Sequence, residues 1–305
     1  MLKILKTVLV TGFTGFIGSH LIPKLTQQYN VIGLSTSKNS QLKIPQIKTD
    51  ITKIDKKILP SKISKIIHLA AISDVDFCQK NPLDTSKINI IGTQKILELA
   101  RKNDSQVIFL STAHVFGSPK NNPMDENFQK HPKSIYAATK LAGEVLCESY
   151  SNSYGLDIGI VRLFSVYGPN SPKHTVTDNI IKQIIHKKII KLGNIKSKRD
   201  FLYVDDAINA ILLIMKKNRN YNEYNVGSEK SYSINQICTI LKNISKKNFI
   251  IKTSKIKIRK NDSTELVSNS LKLRKLGWMP KTSVHDGLRL TYDWYLNNPT
   301  HDNNS

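Results

Sequence analysis

Tyr136 and Lys140, in "SIYAATKLAGE", stand four residues apart in what reads as a helix, so a phenol and an ammonium share one helix face. A phenol with its ordinary pKa near 10 is a poor base at neutral pH, and a cation one turn away favours the phenolate. A drop of ~3 pKa units corresponds to about 4 kcal/mol. Spacing alone is a weak signal, because 11 Tyr and 46 Lys+Arg in 305 residues give about 1.7 such pairs by chance. The context is what makes it strong. Upstream, "LSTAHVFG" (110–117) closes a buried strand with Thr112, a hydroxyl able to hold the same substrate oxygen, and His114, an imidazole suited to proton transfer near pH 7. Such a set exchanges a proton with an alcohol or ketone while a hydride moves at the adjacent carbon.

A hydride needs a carrier, and "TGFTGFIG" offers it a seat. Gly12, Gly15 and Gly18 fall between a strand and a helix, with Phe13, Thr14, Phe16 and Ile17 completing the turn. Glycine permits unusual dihedrals and close backbone approach, so a dinucleotide pyrophosphate can rest on the helix N-terminus. The spacing is GxxGxxG. An acid at the end of the next strand would bind the ribose diol of NAD and repel a 2′-phosphate. Here that end reads Ser35, Thr36, Ser37 and Lys38. Hydroxyls and an ammonium favour NADP over NAD.

These groups need strand tips to hold them. Apolar strands at 6–12, 30–35, 65–71, 106–112 and 157–164 alternate with amphipathic helices at 16–28, 84–103 and 134–154. That alternation predicts a parallel sheet covered on both faces, an α/β fold. Pro23 is tolerable only near the first turns of its helix. After "VYGPNSP", helices near 176–188, 204–217, 233–247 and 283–297 alternate with short strands and Lys/Asn-rich loops. We expect a Rossmann-type domain over 1–170, with segments returning from the C-terminal half. A smaller α/β substrate lobe over 171–298 and a tail at 299–305 complete the expectation.

Composition narrows the classes further. Cys78, Cys147 and Cys238 are odd in number and lack CxxC spacing, which argues against a disulfide framework or metal site and for a reducing cytoplasm. "MLKILKTVLV" begins like a signal peptide, but "TGFTGFIGSH" interrupts it too early, and no run approaches the ~18 apolar residues of a membrane span. The net charge of +23 comes from lysines scattered along the chain, densest over 242–260 where aromatics are few. A solvated basic surface that steers an anionic substrate is expected, with neither nucleic acid nor membrane as a partner.

The chain resembles the extended short-chain dehydrogenase/reductases of the nucleotide-sugar epimerase/dehydratase group. "TGFTGFIG", "HLAA" (68–71), "NIIGT" (89–93), "STAHVFG", "YAATK", "RLFSVYGP" (162–169), "RDFLYVDDA" (199–207) and "LGWMP" (276–280) occur in family order across nearly its whole length. The resemblance implies a Rossmann-type fold, a bound nicotinamide cofactor, a nucleotide-diphosphate sugar as substrate, and a homodimer paired through two helices per subunit. It makes Tyr136 the acid/base, Lys140 the residue that orients the nicotinamide ribose, and Thr112 the holder of the reacting oxygen. It places Asp50 and Ile51 at the adenine, and adds Leu69, Ala70, Ala71, Asn89 and Ser111 to the cofactor set. Ser73, His114, Ser165, Arg199 and Arg259 fall to the substrate, the two arginines at its diphosphate.

Departures from the family pattern select among reactions. Related 4,6-dehydratases carry Asp-Glu after the threonine, where this chain has Ala113 and His114, so dehydration and decarboxylation are disfavoured. Ser35 favours a 4-ketoreductase using NADPH, and "LGNIKSKRDFLYVDD" resembles GDP-4-keto-6-deoxymannose reductases. The alternative is a 4-epimerase that retains NAD, and a remoter one is an NADP-binding protein without turnover. Ser165 replaces the Asn of many members. His114 occupies the slot where bifunctional epimerase-reductases carry a proton-moving Cys, and His174 is a second candidate.

Overall fold

Runs such as "VLV" and "VIFL", apolar on both alternating faces, are stable as strands only when covered on both sides. In the computed structural model, which describes residues 5–119, 121–254 and 265–299, they form the middle of a seven-stranded parallel sheet. The chain begins β1 (Thr7–Thr11), α1 (Phe16–Leu25), β2 (Asn30–Ser35), β3 (Gln46–Lys48) and β4 (Lys65–His68). It continues through α2 (Val75–Lys80), α3 (Pro82–Ser86), a π-helical turn at Lys87–Ile91, α4 (Gly92–Asn103) and β5 (Gln106–Thr112). A 3₁₀ turn (Ala113–Phe116), α5 (Ile135–Tyr154), β6 (Ile158–Leu163), β7 (Ser165–Tyr167) and α6 (Val176–His186) follow. Then come β8 (Ile189–Leu192), β9 (Lys198–Tyr203), α7 (Val204–Lys217), β10 (Tyr221–Val226) and β11 (Ser231–Ser233). Last are α8 (Ile234–Ser245), β12 (Ile250–Thr253), β13 (Glu265–Leu266), α9 (Leu271–Lys275) and α10 (Val284–Asn297).

The large sheet has the order β10-β6-β5-β4-β1-β2-β3, so successive strands run outward to one side of β1 and then to the other. The reversal opens a crevice beyond the C-terminal ends of β1 and β4, where ligands bind in sheets of this kind. Its core is aliphatic, with Leu9, Ile66, Val107 and Ile160 wholly buried. Helix α5 packs on β5 and against α2, α3 and α4.

The chain divides into two interleaved units. The first comprises 1–115, 130–162 and 208–224, and the second 116–129, 163–207 and 225–305. The chain thus crosses at Val115, before the expected boundary at 170, and returns for Lys130–Arg162 and Ile208–Tyr224. In the second unit, β9 pairs with β7, β11 and β13, and β8 with β12.

Two elements differ from expectation for local reasons. The strand expected over 65–71 ends at His68, because the Ala70 amide turns away to donate to the Thr11 hydroxyl at 3.2 Å. The helix expected over 84–103 is interrupted by the π-helical turn, whose extra residue is invisible to a 3.6-residue period. Pro23 lies in the last turn of α1, which ends two residues later at Leu25.

Candidate active site

The glycines of the first turn are needed for contact as well as for dihedrals. Gly12 has φ +69°, and a Cβ there would lie 2.7 Å from the Ala70 nitrogen; one on Gly18 would lie 2.5 Å from the Phe13 carbonyl. Phe13, fully buried, packs under Gly33. Helix α1 starts at the exposed Gly15 with no side-chain cap and no acid in its first turn. A closely approached turn that ends in an uncapped helix N-terminus fits a pyrophosphate. Phe16 and Ile17, half-buried, begin that helix, and the Phe16 ring packs edge-on to His20.

At the end of β2, the Ser35 hydroxyl pairs with Thr14 Oγ1 at 2.8 Å, and the Ser37 hydroxyl donates to the same oxygen at 3.0 Å. Thr36, Ser37 and Lys38 are exposed. Asp50 caps the following 3₁₀ turn: its Oδ1 accepts from the Thr52 amide and hydroxyl at 2.8 and 2.9 Å. The backbone bond from Thr52 holds its carboxyl below the usual range. Ile51 is buried against Gly92, where a Cβ would lie 2.6 Å from its Cγ2. Beyond β4, Leu69, Ala70 and Ala71 are half-buried and Ser73 is exposed. Asn89, in the π turn, clasps Ile72: its Oδ1 accepts from the amide at 2.8 Å and its Nδ2 donates to the carbonyl at 3.0 Å.

Strand β5 delivers Thr112 to the sheet edge, and the 3₁₀ turn folds back so that the His114 amide donates to Thr112 Oγ1 at 3.2 Å. The Thr112 hydroxyl lies near enough to the Tyr136 phenol to favour its ionised form. Ser134 caps α5 by accepting from the Ala137 amide at 3.2 Å, which fixes the turn that carries Tyr136. The His114 ring stands edge-on to Tyr136 with centroids 6.4 Å apart. Four residues on, Lys140 is buried with its ammonium over the Phe109 ring, 4.2 Å from the centroid.

The charge states differ from the simple expectation. Burial pushes the Tyr136 phenol up to about 12, against the Thr112 hydroxyl, which pulls it down. Burial also lowers Lys140 to about 8, against the nearby Cys147 and Glu144. Desolvation outweighs the ion-pair argument for both groups in the protein alone, so the phenol is protonated at neutral pH.

Sequence reasoning missed the group beneath this pair. Ser111, expected at the cofactor, donates its hydroxyl to Glu144. Glu144 also accepts from Arg162 Nε at 2.9 Å and NH2 at 2.8 Å, and Arg162 NH2 reaches Glu223 Oε2 at 2.5 Å. Lys130 completes the set at 2.7 Å from Glu223. Burial works against the Arg162 charge, but the hydrogen bonds and charges of Glu144 and Glu223 raise its pKa overall. An arginine inside the apolar strand "DIGIVRLF" was the available signal.

In the second unit, Ser165 opens β7 opposite Phe201 of β9. Arg199, buried on β9, donates through NH1 to the Lys198 carbonyl at 2.7 Å and stands opposite Tyr232 of β11. Its neighbour Asp200 is held by the amides of Ser228, Glu229 and Ser268 and by two serine hydroxyls. His174 precedes α6. Arg259 lies outside the described residues. Among the described residues, no cluster of His, Cys, Asp and Glu could hold a metal ion, and no helix is long and apolar enough to cross a membrane.

Known proteins are similar to this chain in sequence and in fold. The Bacillus subtilis (strain 168) uncharacterized UDP-glucose epimerase YtcB is 32% identical, covering 92% of this chain and 95% of that one. The human dTDP-D-glucose 4,6-dehydratase is 28% identical over 96% of this chain and 91% of its own. The crystal structure of UDP-glucuronic acid 4-epimerase from Bacillus cereus, in complex with UDP-glucuronic acid and NAD, superposes with a TM-score of 0.89. That protein is 30% identical, with 95% of this chain and 99% of that chain covered. Residues 8–227, which carry the glycine turn and the Thr112, Tyr136 and Lys140 set, match the NAD dependent epimerase/dehydratase family as a whole, and the chain belongs to that family.

Proposed function

We propose that the chain is a UDP-sugar 4-epimerase that retains NAD, the reading that sequence reasoning ranked second to an NADPH-dependent 4-ketoreductase. One observation carries it: the strand tip sets the Thr112 hydroxyl beside the Tyr136 phenol, and Thr112 is followed by Ala113 and His114 rather than by the carboxylates of the kind a dehydratase uses. The similarity to UDP-sugar 4-epimerases, one of them in complex with NAD, supports both the reaction and the cofactor.

Bound NAD would supply the two-electron chemistry at C4 of the sugar, as the acceptor and then the donor of a hydride. The chain's own groups handle the proton and the orientation. Thr112 holds the C4 oxygen against Tyr136, which takes the hydroxyl proton outbound and gives it back on return. At rest the phenol is protonated, so the outbound step requires its ionisation, which Lys140 favours as a cation. The glycine turn and α1 would hold the pyrophosphate, Asp50 and Ile51 would bind the adenine end, and the Thr14, Ser35 and Ser37 hydroxyls would bind the adenosine ribose. Ser73, Ser165, Arg199 and Arg259 are assigned to the sugar nucleotide. Exposed Ile91, Val145 and Tyr154 at the π turn and on α5 (45%, 54% and 54%) suit the pairing of two copies.

The ketoreductase remains a second reading for one reason: the hydroxyl group at Ser35, beside Lys38, would accept a 2′-phosphate. Unfolding the purified protein and identifying the released nucleotide separates the two. Bound NAD, with UDP-glucose or UDP-glucuronic acid converted to its 4-epimer without added cofactor, supports the epimerase. An empty site with a clear NADPH preference overturns it.

A further inference from the structure

Strand β4 ends in His68, which is 1% exposed and takes no part in the chemistry above. Its Nδ1 lies 2.8 Å from Thr11 Oγ1 and its Nε2 3.0 Å from Thr93 Oγ1. The neighbours of those hydroxyls decide which nitrogen carries hydrogen. Thr93 spends its single hydrogen on the Asn89 carbonyl at 2.6 Å, so its oxygen must accept from Nε2–H. Thr11 then donates to the bare Nδ1, while its oxygen accepts the Ala70 amide at 3.2 Å. Every hydrogen is used once. Burial, with Lys140 adding its charge, pulls the imidazole down to about 3 and keeps it neutral.

The run continues beyond Thr93. Asn89 Nδ2 donates to Thr139 Oγ1 at 3.0 Å, and the Thr139 hydroxyl donates to the Tyr136 carbonyl at 2.9 Å. With its grip on Ile72, Asn89 therefore joins the loop after β4, which abuts Gly12, to the turn of α5 that bears the phenol. Asn89 lies within the π turn and is 2% exposed.

We infer that His68, as a neutral Nε2–H imidazole, is a positioning residue that locks the loop beside the glycine turn to the backbone of Tyr136, and so sets the placement of the phenol relative to the cofactor; its kinetic consequence rests on the proposed role of Tyr136. A histidine merely filling space would need no particular tautomer. This one is tied at both nitrogens to hydroxyls whose other bonds fix their direction.

The test begins with the intact protein labelled with ¹⁵N-histidine. NMR is expected to find His68 protonated on Nε2 only and unchanged between pH 5.5 and 9; an Nδ1–H tautomer or a titration in that range overturns the assignment. Kinetics follow in Thr93→Val, which keeps the shape but loses the hydroxyl, with Thr93→Ser as the conservative rescue. Thr93→Val is expected to lose about 10- to 100-fold in kcat for UDP-sugar epimerisation with KM within about twofold, and Thr93→Ser to recover most of it. A folded, cofactor-loaded Thr93→Val with undiminished kcat, or a Thr93→Ser as impaired as Thr93→Val, overturns the positioning role. Wild-type protein that epimerises no UDP-sugar would sink the proposed function, while the NMR result would still decide the tautomer.

Discussion

Replacing Arg162 by methionine removes the one guanidinium between two carboxylates, and the structure sets the cost. Arg162 has 0% side-chain exposure, Glu144 1% and Glu223 14%. Without the arginine, Lys130 still lies 2.7 Å from Glu223 but is 3.8 Å from Glu144. Breaking a buried pair in this way costs about 3–5 kcal/mol, because a charge is left without compensation. At roughly 2–4 °C per kcal/mol for a chain of this size, the thermal midpoint should fall by about 10 °C. The deficit should depend on pH. Burial acts to raise the Glu223 pKa, but Arg162 and Lys130 hold it below its ordinary 4.5, so in the native protein its contribution is present above that pH and lost as pH falls through the lowered value. In Arg162→Met the balance at Glu223 moves towards burial, its largest influence, so that carboxylate binds its proton more readily in the folded state than it does beside Arg162, and the deficit should shrink as pH falls from 8 towards 5. Circular dichroism melts of both proteins at the two pH values measure this. A midpoint within a couple of degrees of wild type at pH 8, or a deficit equal at both, would refute the reasoning.

Other perturbations test other parts of the site. Gly18→Ala places a Cβ 2.5 Å from the Phe13 carbonyl and 2.7 Å from the Gly12 carbonyl; the displaced helix start should cost the protein its bound dinucleotide, measured as nucleotide released per chain on denaturation. Lys140 has a folded-state pKa of about 8 against an ordinary 10.5, so the folded state binds fewer protons in that window and wild-type stability should rise from pH 8 to 10.5 relative to Lys140→Met, read as urea midpoints. Ser35→Asp replaces a hydroxyl with an acid suited to a ribose diol, and should raise the NAD-over-NADP affinity ratio by about tenfold or more in equilibrium titrations. Tyr136→Phe should lower kcat about 10²- to 10⁴-fold with sugar-nucleotide binding little changed, checked by kinetics and calorimetry.

Legibility in the sequence followed the range of the forces involved. The strands at Asn30–Ser35 and Gln106–Thr112 and the helix at Val204–Lys217 were readable to the residue, because near-neighbour apolar patterning and terminal polar residues set them. The π turn at Lys87–Ile91 was not, since one inserted residue leaves the local pattern intact. Thr112, Tyr136 and Lys140 could be named from their spacing together with the strand end before them, but the protonation of Tyr136 and Lys140 could not: burial sets it, and the Phe109 ring that receives the ammonium is separated from Lys140 by a strand tip and a long loop. Glu144 and Arg162 lie on different elements, and their pairing is tertiary. Ser35 pointed towards NADP, yet the hydroxyl it meets is Thr14 of the glycine turn, a partner that only the folded turn supplies.

The central claim is that one bound cofactor removes and returns the same hydride at C4 while Tyr136 carries the proton. UDP-glucose and UDP-glucuronic acid deuterated at C4 should be supplied to the purified protein without added nucleotide, and the 4-epimer analysed by mass spectrometry and NMR. The account predicts an epimer that keeps its deuterium at C4. Loss of the label to solvent, or keto-sugar reduction that consumes added NADPH with no epimer formed, would contradict it.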